Sequence, residues 1–297
     1  MSGLAPAAVA VVAALTVSVW ASAAGAHVAV ETVRVDGVDV DIFTPALASG
    51  EAIVGDVLVL PGWDSTRTDW CSKDRGLCDE AQRRHMRLVM PEVAKSVYAD
   101  AIYAETSAQF RGQLTRAHLV DVIGHLQRER GLLSDAAHTF VIGRSTGGRG
   151  AVLLALDHPE WFRAAASLSG DFDQTAMPGD GLMEGAYGPY AKFPERFTGR
   201  DNPQRRAAEL RVPVYLGHGA KDAVVNPEQT RAFFRAVDAA HPGLAVLHID
   251  EAGAHDHKYW RRELAPVFDF FAHAPDNVAG AAIPLTTTGQ DRTPRAP

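Results

Sequence analysis

The 297-residue sequence is poor in the residue types that would assign it quickly. Two cysteines, Cys71 and Cys78, can build neither a disulfide scaffold nor a zinc site of four thiolates. His85, His118, His125 and the run His158-Pro159-Glu160 have no ligand spacing with carboxylates, so neither a metal nor a cofactor is indicated. Basic runs stop at two residues, and 29 Lys plus Arg against 36 Asp plus Glu leave a net charge of −7. A mildly acidic chain is a poor match for polyphosphate, which sets nucleic acid aside as a partner. No internal repeat is visible. What remains is an ordinary globular composition, 46% apolar and 22% charged, over a length that suits one large core or two modest ones.

Charge is also missing from residues 1–26, where Leu4 to Trp20 is mostly Ala and Val. The stretch closes on Ala21-Ser22-Ala23 and Ala24-Gly25-Ala26, both of the small-x-small type cut by signal peptidase. It reads as a secretory signal cleaved near Ala26, with no cysteine there for a lipid anchor and no stable membrane association after cleavage. The n-region carries no Lys or Arg, and an uncleaved membrane anchor is the alternative. In an oxidising compartment Cys71 and Cys78 are expected to pair around the loop CSKDRGLC, the alternative being two free thiols.

Residues 28–43 alternate apolar and polar around Asp36-Gly37, which predicts an N-terminal antiparallel hairpin. The rhythm then changes. Short apolar runs at 57–62, 87–92, 138–143, 165–170, 213–219 and 245–253 mostly end in Gly, Pro or an acidic residue. Runs without alternation suit strands buried on both faces, as in a parallel sheet. Helical spacing is read between them at 108–130 (stopped by Gly131), 147–157, 227–240 and 258–272. The expected fold is α/β, a doubly wound, mostly parallel sheet flanked by helices over a 27–272 domain. Residues 170–200, rich in Gly and Pro, read as a lid or pocket wall, and 273–297 as a disordered tail.

The chemistry gathers at strand ends. Gly143-Arg144-Ser145-Thr146-Gly147 is a G-x-S-x-G between a predicted strand and a predicted helix. A nucleophile elbow needs that context, with Gly143 and Gly147 admitting neighbouring chains and the Thr146 N–H at a helix start. A serine hydroxyl needs a base, and the base needs an orienting acid. Asp222 in GHGAKDAVV and His255 in EAGAHDHKYW follow in the order of this fold, each just past a strand. The loop LPGWDS supplies a second oxyanion donor, the Trp63 N–H behind Gly62, and the Trp63 indole can wall the acyl pocket. Asp171 and Asp173, past another strand, are the competing acids, and His257 is the competing base, given a packing role. His218 reads as a strand-end packing residue.

On LPGWDS, VIGRSTGGRG, GHGAKDAVV and AGAHDHKYW, spanning residues 55 to 272, the chain resembles the α/β-hydrolase superfamily. Within it the chain is similar to secreted bacterial esterases of the feruloyl, acetylxylan and cutinase or polyesterase kinds. The resemblance implies Ser145 as nucleophile, Asp222 as acid, His255 as base, and Trp63 and Thr146 as oxyanion donors. Pro61-Gly62 stands where His-Gly is common, as in cutinase-like enzymes, and Arg144-Ser145-Thr146 where His-Ser-Met is frequent. The expected activity is a secreted serine carboxylic-ester hydrolase, without cofactor, on a small or polymeric ester. An acyltransferase of the mycolyltransferase type and a catalytically silent binding protein are the alternatives. A peptidase of the prolyl-oligopeptidase kind is less favoured, because the chain has no room for the propeller those proteins carry.

Overall fold

The computed structural model describes residues 16–21 and 27–274, apart from Asp64, Lys73, Ala94 and Pro178. Its strands are β1 (Thr16–Ala21), β2 (His27–Val35), β3 (Val38–Thr44), β4 (Gly55–Leu60), β5 (Met86–Pro91), β6 (Thr139–Arg144), β7 (Ala164–Leu168), β8 (Val214–Gly219) and β9 (Ala245–Asp250). They form one sheet in the order β1-β2-β3-β5-β4-β6-β7-β8-β9. The pairs from β5 through β4, β6, β7 and β8 to β9 are parallel, and β1, β2 and β3 join antiparallel. The expected hairpin is β2–β3, turning at Asp36 (φ 49°) and Gly37 (φ 83°), the two positive φ values of a type I′ turn.

All six apolar runs are strands, and the reason they lack alternation is visible in β4. Leu58 and Leu60 face one core while Val57 and Val59 face the other. The first core lies under α2 (Arg116–Arg130), α3 (Thr146–Asp157) and α6 (Glu228–Ala240). The second lies under α1 (Leu77–Arg83) and α7 (His257–His273). Helices thus cover both faces, as doubly wound sheets require.

Differences from the sequence reading have local causes. The helix expected over 108–130 begins at Arg116, because the Thr115 hydroxyl caps it by accepting the His118 N–H, and only a 3-10 turn spans Ala108–Phe110. Residues 170–200 are not an unstructured loop: they hold α4 (Gly181–Tyr187) and α5 (Pro194–Thr198). Met183, Ala186, Tyr187 and Phe197 are buried there in a third cluster with Val97, Ala99 and Phe110. This cap is tied down from 103–110, where the Ser107 N–H donates to the Gly185 carbonyl (2.8 Å) and the Thr106 hydroxyl to that of Ala186 (2.7 Å). Cys71 and Cys78 are disulfide-bonded with Cα atoms 4.9 Å apart, and Cys78 sits in α1, a helix the sequence reading passed over.

Of the proposed export signal, only Thr16–Ala21 lies within the described residues, as the edge strand β1 paired with β2. At the other end, the domain runs two residues past 272: His273 closes α7, and buried Ala274 accepts a hydrogen bond from Arg163 at 2.9 Å. The rest of the expected disordered tail lies outside the described residues.

Candidate active site

Ser145 sits at the tip of β6, where the chain reverses into α3. Its backbone is at φ 55° and ψ −128°, a conformation that a side chain rarely adopts and that the surroundings must enforce. They do so by close approach. A Cβ on Gly143 would fall 1.9 Å from the Gly147 carbonyl oxygen, and one on Gly147 would fall 2.2 Å from that of Leu60. Both elbow glycines are therefore obligatory packing positions, and Gly147 brings the elbow against the loop after β4. The Ser145 N–H is held by the Leu168 carbonyl at 2.8 Å.

The three strand ends named from the sequence converge. His255 Nε2 lies 3.0 Å from Ser145 Oγ, and His255 Nδ1 lies 2.7 Å from Asp222 Oδ2. A carboxylate accepts only, so Nδ1 carries the proton and Nε2 is left to accept the serine O–H. Asp222 Oδ1 accepts the N–H groups of Val224 and Val225, each at 2.9 Å. Burial pushes the Asp222 carboxyl up, but hydrogen bonds from His218, His255 and the Val225 N–H outweigh it and hold the group well below the usual carboxylate range.

His218 does more than fill space. Fully buried, its Nε2 lies 3.0 Å from the Val225 carbonyl and 3.2 Å from Asp222 Oδ2, two acceptors, so Nε2 is protonated and points at the acid. The Thr230 hydroxyl meets its Nδ1 at 2.6 Å. The sequence signal for this contact was the four-residue spacing from His218 to Asp222 around a strand end.

The competing residues are excluded by their partners. Asp171 pairs with the guanidinium of wholly buried Arg149 at 2.7 Å. Burial pushes the Asp171 carboxyl above its ordinary value, against the pull of Arg149. Asp173 caps the turn Gln174–Ala176 through the Thr175 N–H. His257 lies edge-on to Trp260, with ring centroids 4.9 Å apart, and makes no hydrogen bond to Ser145. Burial, then the positive charges of Arg144 and Arg75, pull its imidazole down to about 4. His255 packs edge-on against the same indole at 5.1 Å. Asp256 caps α7 by accepting the Tyr259 N–H at 2.8 Å.

Gly62 approaches Ser145 so closely that a Cβ there would lie 3.1 Å from Ser145 Cβ. The next residue, half-buried Trp63, packs at a tilt against Phe110 with centroids 4.6 Å apart, joining the loop after β4 to the cap. Thr146 is the first residue of α3, where N–H groups have no partner inside the helix. Two contributors were missed from the sequence, Phe110 and Arg149. Phe110 was absorbed into an overlong helix, and nothing local marks Arg149 as the partner of a carboxylate 22 positions away. A separate concavity of about 430 Å³ opens at the opposite ends of β4 and β6, where Asp56 and Arg87 pair with each other.

Sheet order, strained elbow and strand-end histidine place the protein among the α/β-hydrolases. The chain belongs to the prolyl oligopeptidase family, whose sequence model matches residues 103–277 and so takes in Ser145, Asp222 and His255. Among solved structures, the chain is similar to an S-formylglutathione hydrolase of Agrobacterium tumefaciens (TM-score 0.67, 16% identity, 86% of this chain and 98% of that one). It is also similar to the fluorophosphonate-binding serine hydrolase F of Staphylococcus aureus (0.63, 17%, 87% and 98%). A puromycin hydrolase matches at 0.58 and 18% over 88% of this chain but only 39% of its own.

Proposed function

We propose that the protein is a secreted serine carboxylic-ester hydrolase acting through Ser145, His255 and Asp222. The observation that carries this reading is His255, hydrogen-bonded to the serine through one ring nitrogen and to a buried carboxylate through the other. Ser145 Oγ attacks the ester carbonyl carbon while its proton passes to His255 Nε2. Asp222 stays ionised and stabilises the imidazolium. The N–H groups of Trp63 and Thr146 hold the oxyanion. Collapse of the tetrahedral adduct expels the alcohol, which takes the proton from His255. Water, deprotonated by the same histidine, then frees the acid and restores Ser145. Export is supported by the uncharged residues 1–26 and by the Cys71–Cys78 bond, a linkage of oxidising compartments.

Membership of the prolyl oligopeptidase family favours a second reading, amide cleavage in peptides. The overlap with a serine hydrolase and an S-formylglutathione hydrolase over 98% of their length supports the ester reading over it. The test is to treat purified protein with a fluorophosphonate, map the labelled peptide, and assay p-nitrophenyl esters of rising chain length beside peptide p-nitroanilides. Label on Ser145 with ester turnover supports the proposal. Turnover of anilides alone would make it a peptidase, absence of label a silent binding protein, and rate gain on adding a sugar acceptor an acyltransferase.

A further inference from the structure

We propose that Tyr98 is the positioning residue of the oxyanion loop, its hydroxyl fixing the Pro61 carbonyl and with it the direction of the Trp63 N–H. The inference rests on the ester-hydrolase reading. Tyr98 lies far from the labels of that site in sequence, in the segment after β5, and has a positive φ of 57°. A bulky residue in this region of backbone space is an outlier that persists only where surrounding contacts over-determine it, and such residues gather at active sites.

Four contacts impose the conformation. The Tyr98 N–H donates to Ser96 Oγ at 2.9 Å, and its carbonyl accepts from the Arg116 guanidinium at 2.9 Å. Arg116 is itself buried and anchored by Asp157 (2.8 Å) and Asp201 (2.6 Å). The ring lies flat against α3 at Gly150, where a Cβ would come within 2.6 Å of the ring carbon Cγ. These three leave the hydroxyl one direction to point, and it donates to the Pro61 carbonyl at 2.7 Å. Burial raises the phenol well above its ordinary pKa, so the donor keeps its proton. On the far side of that carbonyl stands Gly147 of the elbow, close enough that a Cβ there would be 2.5 Å from the Pro61 oxygen. The Gly62 carbonyl is turned away to the Ser65 N–H at 3.2 Å. Tyr98 clamps the peptide that leads into Gly62, and Ser65 holds the next carbonyl, so the Trp63 N–H in that second peptide keeps one direction only while the first stays fixed; Tyr98 itself touches no reacting atom.

A positioning role for the oxyanion differs from a structural one in what it moves. Tyr98→Phe keeps the ring and removes only the donor. The expected result is a fall in kcat of roughly 10- to 100-fold with KM within about threefold, since only the transition-state contact is misaligned. Affinity for a trifluoromethyl ketone, which forms the tetrahedral adduct on Ser145, should fall by the same factor, and the pH dependence of kcat should keep its shape. A folded Tyr98→Phe with kcat within twofold of wild type overturns the proposal, as does a loss confined to KM with ketone affinity intact. Should this variant fail to fold, Ser96→Ala frees the Tyr98 backbone while leaving the hydroxyl. Its kcat and ketone affinity should then fall together by about 3- to 10-fold, and no change in either overturns the proposal. Wild-type protein inert to fluorophosphonate would overturn the hydrolase reading itself, which an active wild type with a fully active variant would leave standing.

Discussion

The carboxyl ends of β7 and β8 lie side by side in the sheet, and each carries a buried aspartate. Asp171 follows β7 and faces a guanidinium, whereas Asp222 follows β8 and faces two backbone N–H groups and two imidazoles. The same residue type in the same topological place has opposite uses because of what surrounds it. Arg149 neutralises Asp171 outright, so that pair joins the elbow helix to the cap through Met183. Asp222 has no permanent cation and, in the proposed mechanism, is free to answer a charge that appears on His255 only during reaction. An acid that orients a base needs this arrangement: ionised by hydrogen bonds, yet not already spent on a salt bridge.

The sharpest way to break the comparison is to neutralise each acid in turn. Asp222→Asn should leave a folded protein with kcat on p-nitrophenyl esters lowered about 10⁴-fold, because the amide imposes the wrong imidazole tautomer. His255→Ala should lose at least as much, roughly 10⁴-fold or more. Asp171→Asn should behave in the reverse way. Its kcat per folded molecule should stay close to wild type, while stability measured by urea unfolding falls by about 3–5 kcal/mol, the cost of leaving Arg149 buried without its counter-charge. If Asp171→Asn proved dead and stable, and Asp222→Asn active, the two strand ends would have to exchange roles.

A smaller effect is expected on the far side of the elbow, where neither carboxylate reaches. Cys71 and Cys78 are seven residues apart in sequence, and closing so short a loop is worth about 2–3 kcal/mol in the chain-entropy account. The bond also anchors buried Trp70, whose ring lies 5.4 Å from the Arg144 guanidinium. Reduction should lower the thermal midpoint without the selective loss of kcat expected at Asp222. Unchanged melting in reductant, with both thiols alkylated, would contradict this.

What the sequence made legible follows the range of the contacts involved. Strand ends, the glycines at 143 and 147, and the order Ser145, Asp222, His255 are marked by residue types adjacent in the chain. Asp256 at the start of α7 and Gly131 at the end of α2 are capping signals of the same local kind. The order of the cap is not legible locally because it comes from elsewhere: α4 is only seven residues long, and its buried Met183, Ala186 and Tyr187 pack on Val97, Ala99 and Phe110, some eighty positions earlier. Tyr98 and Arg149 escaped notice for that reason too, since no local pattern says that a glycine at 150 makes room for a ring at 98. Limited proteolysis is therefore expected to spare 181–198 more than their glycine content suggests.

The smallest and most exacting prediction concerns the second histidine, which repeats the comparison of the two aspartates in another residue type. His255 and His257 both rest edge-on against Trp260, but only His255 has an acid behind it. Arg144 sits over the same indole at 4.8 Å, and its charge, added to burial, holds His257 neutral down to about 4. The ordinary imidazole value is 6.5, so between that pH and about 4 the unfolded chain binds a proton here that the folded chain does not. Stability must then rise with pH across this window and be lost as pH falls through it. Replacing His257 with Gln, which cannot titrate, should flatten that part of the unfolding curve while leaving kcat at neutral pH within a few-fold of wild type. The acid loss that persists at still lower pH belongs to the carboxylates the fold holds low, Asp222 and Asp157 among them. Urea unfolding of both proteins at a series of pH values between 4 and 7 would read the difference directly. Parallel curves would mean that His257 is as free to charge in the fold as out of it, and that the cation beside Trp260 does not reach it.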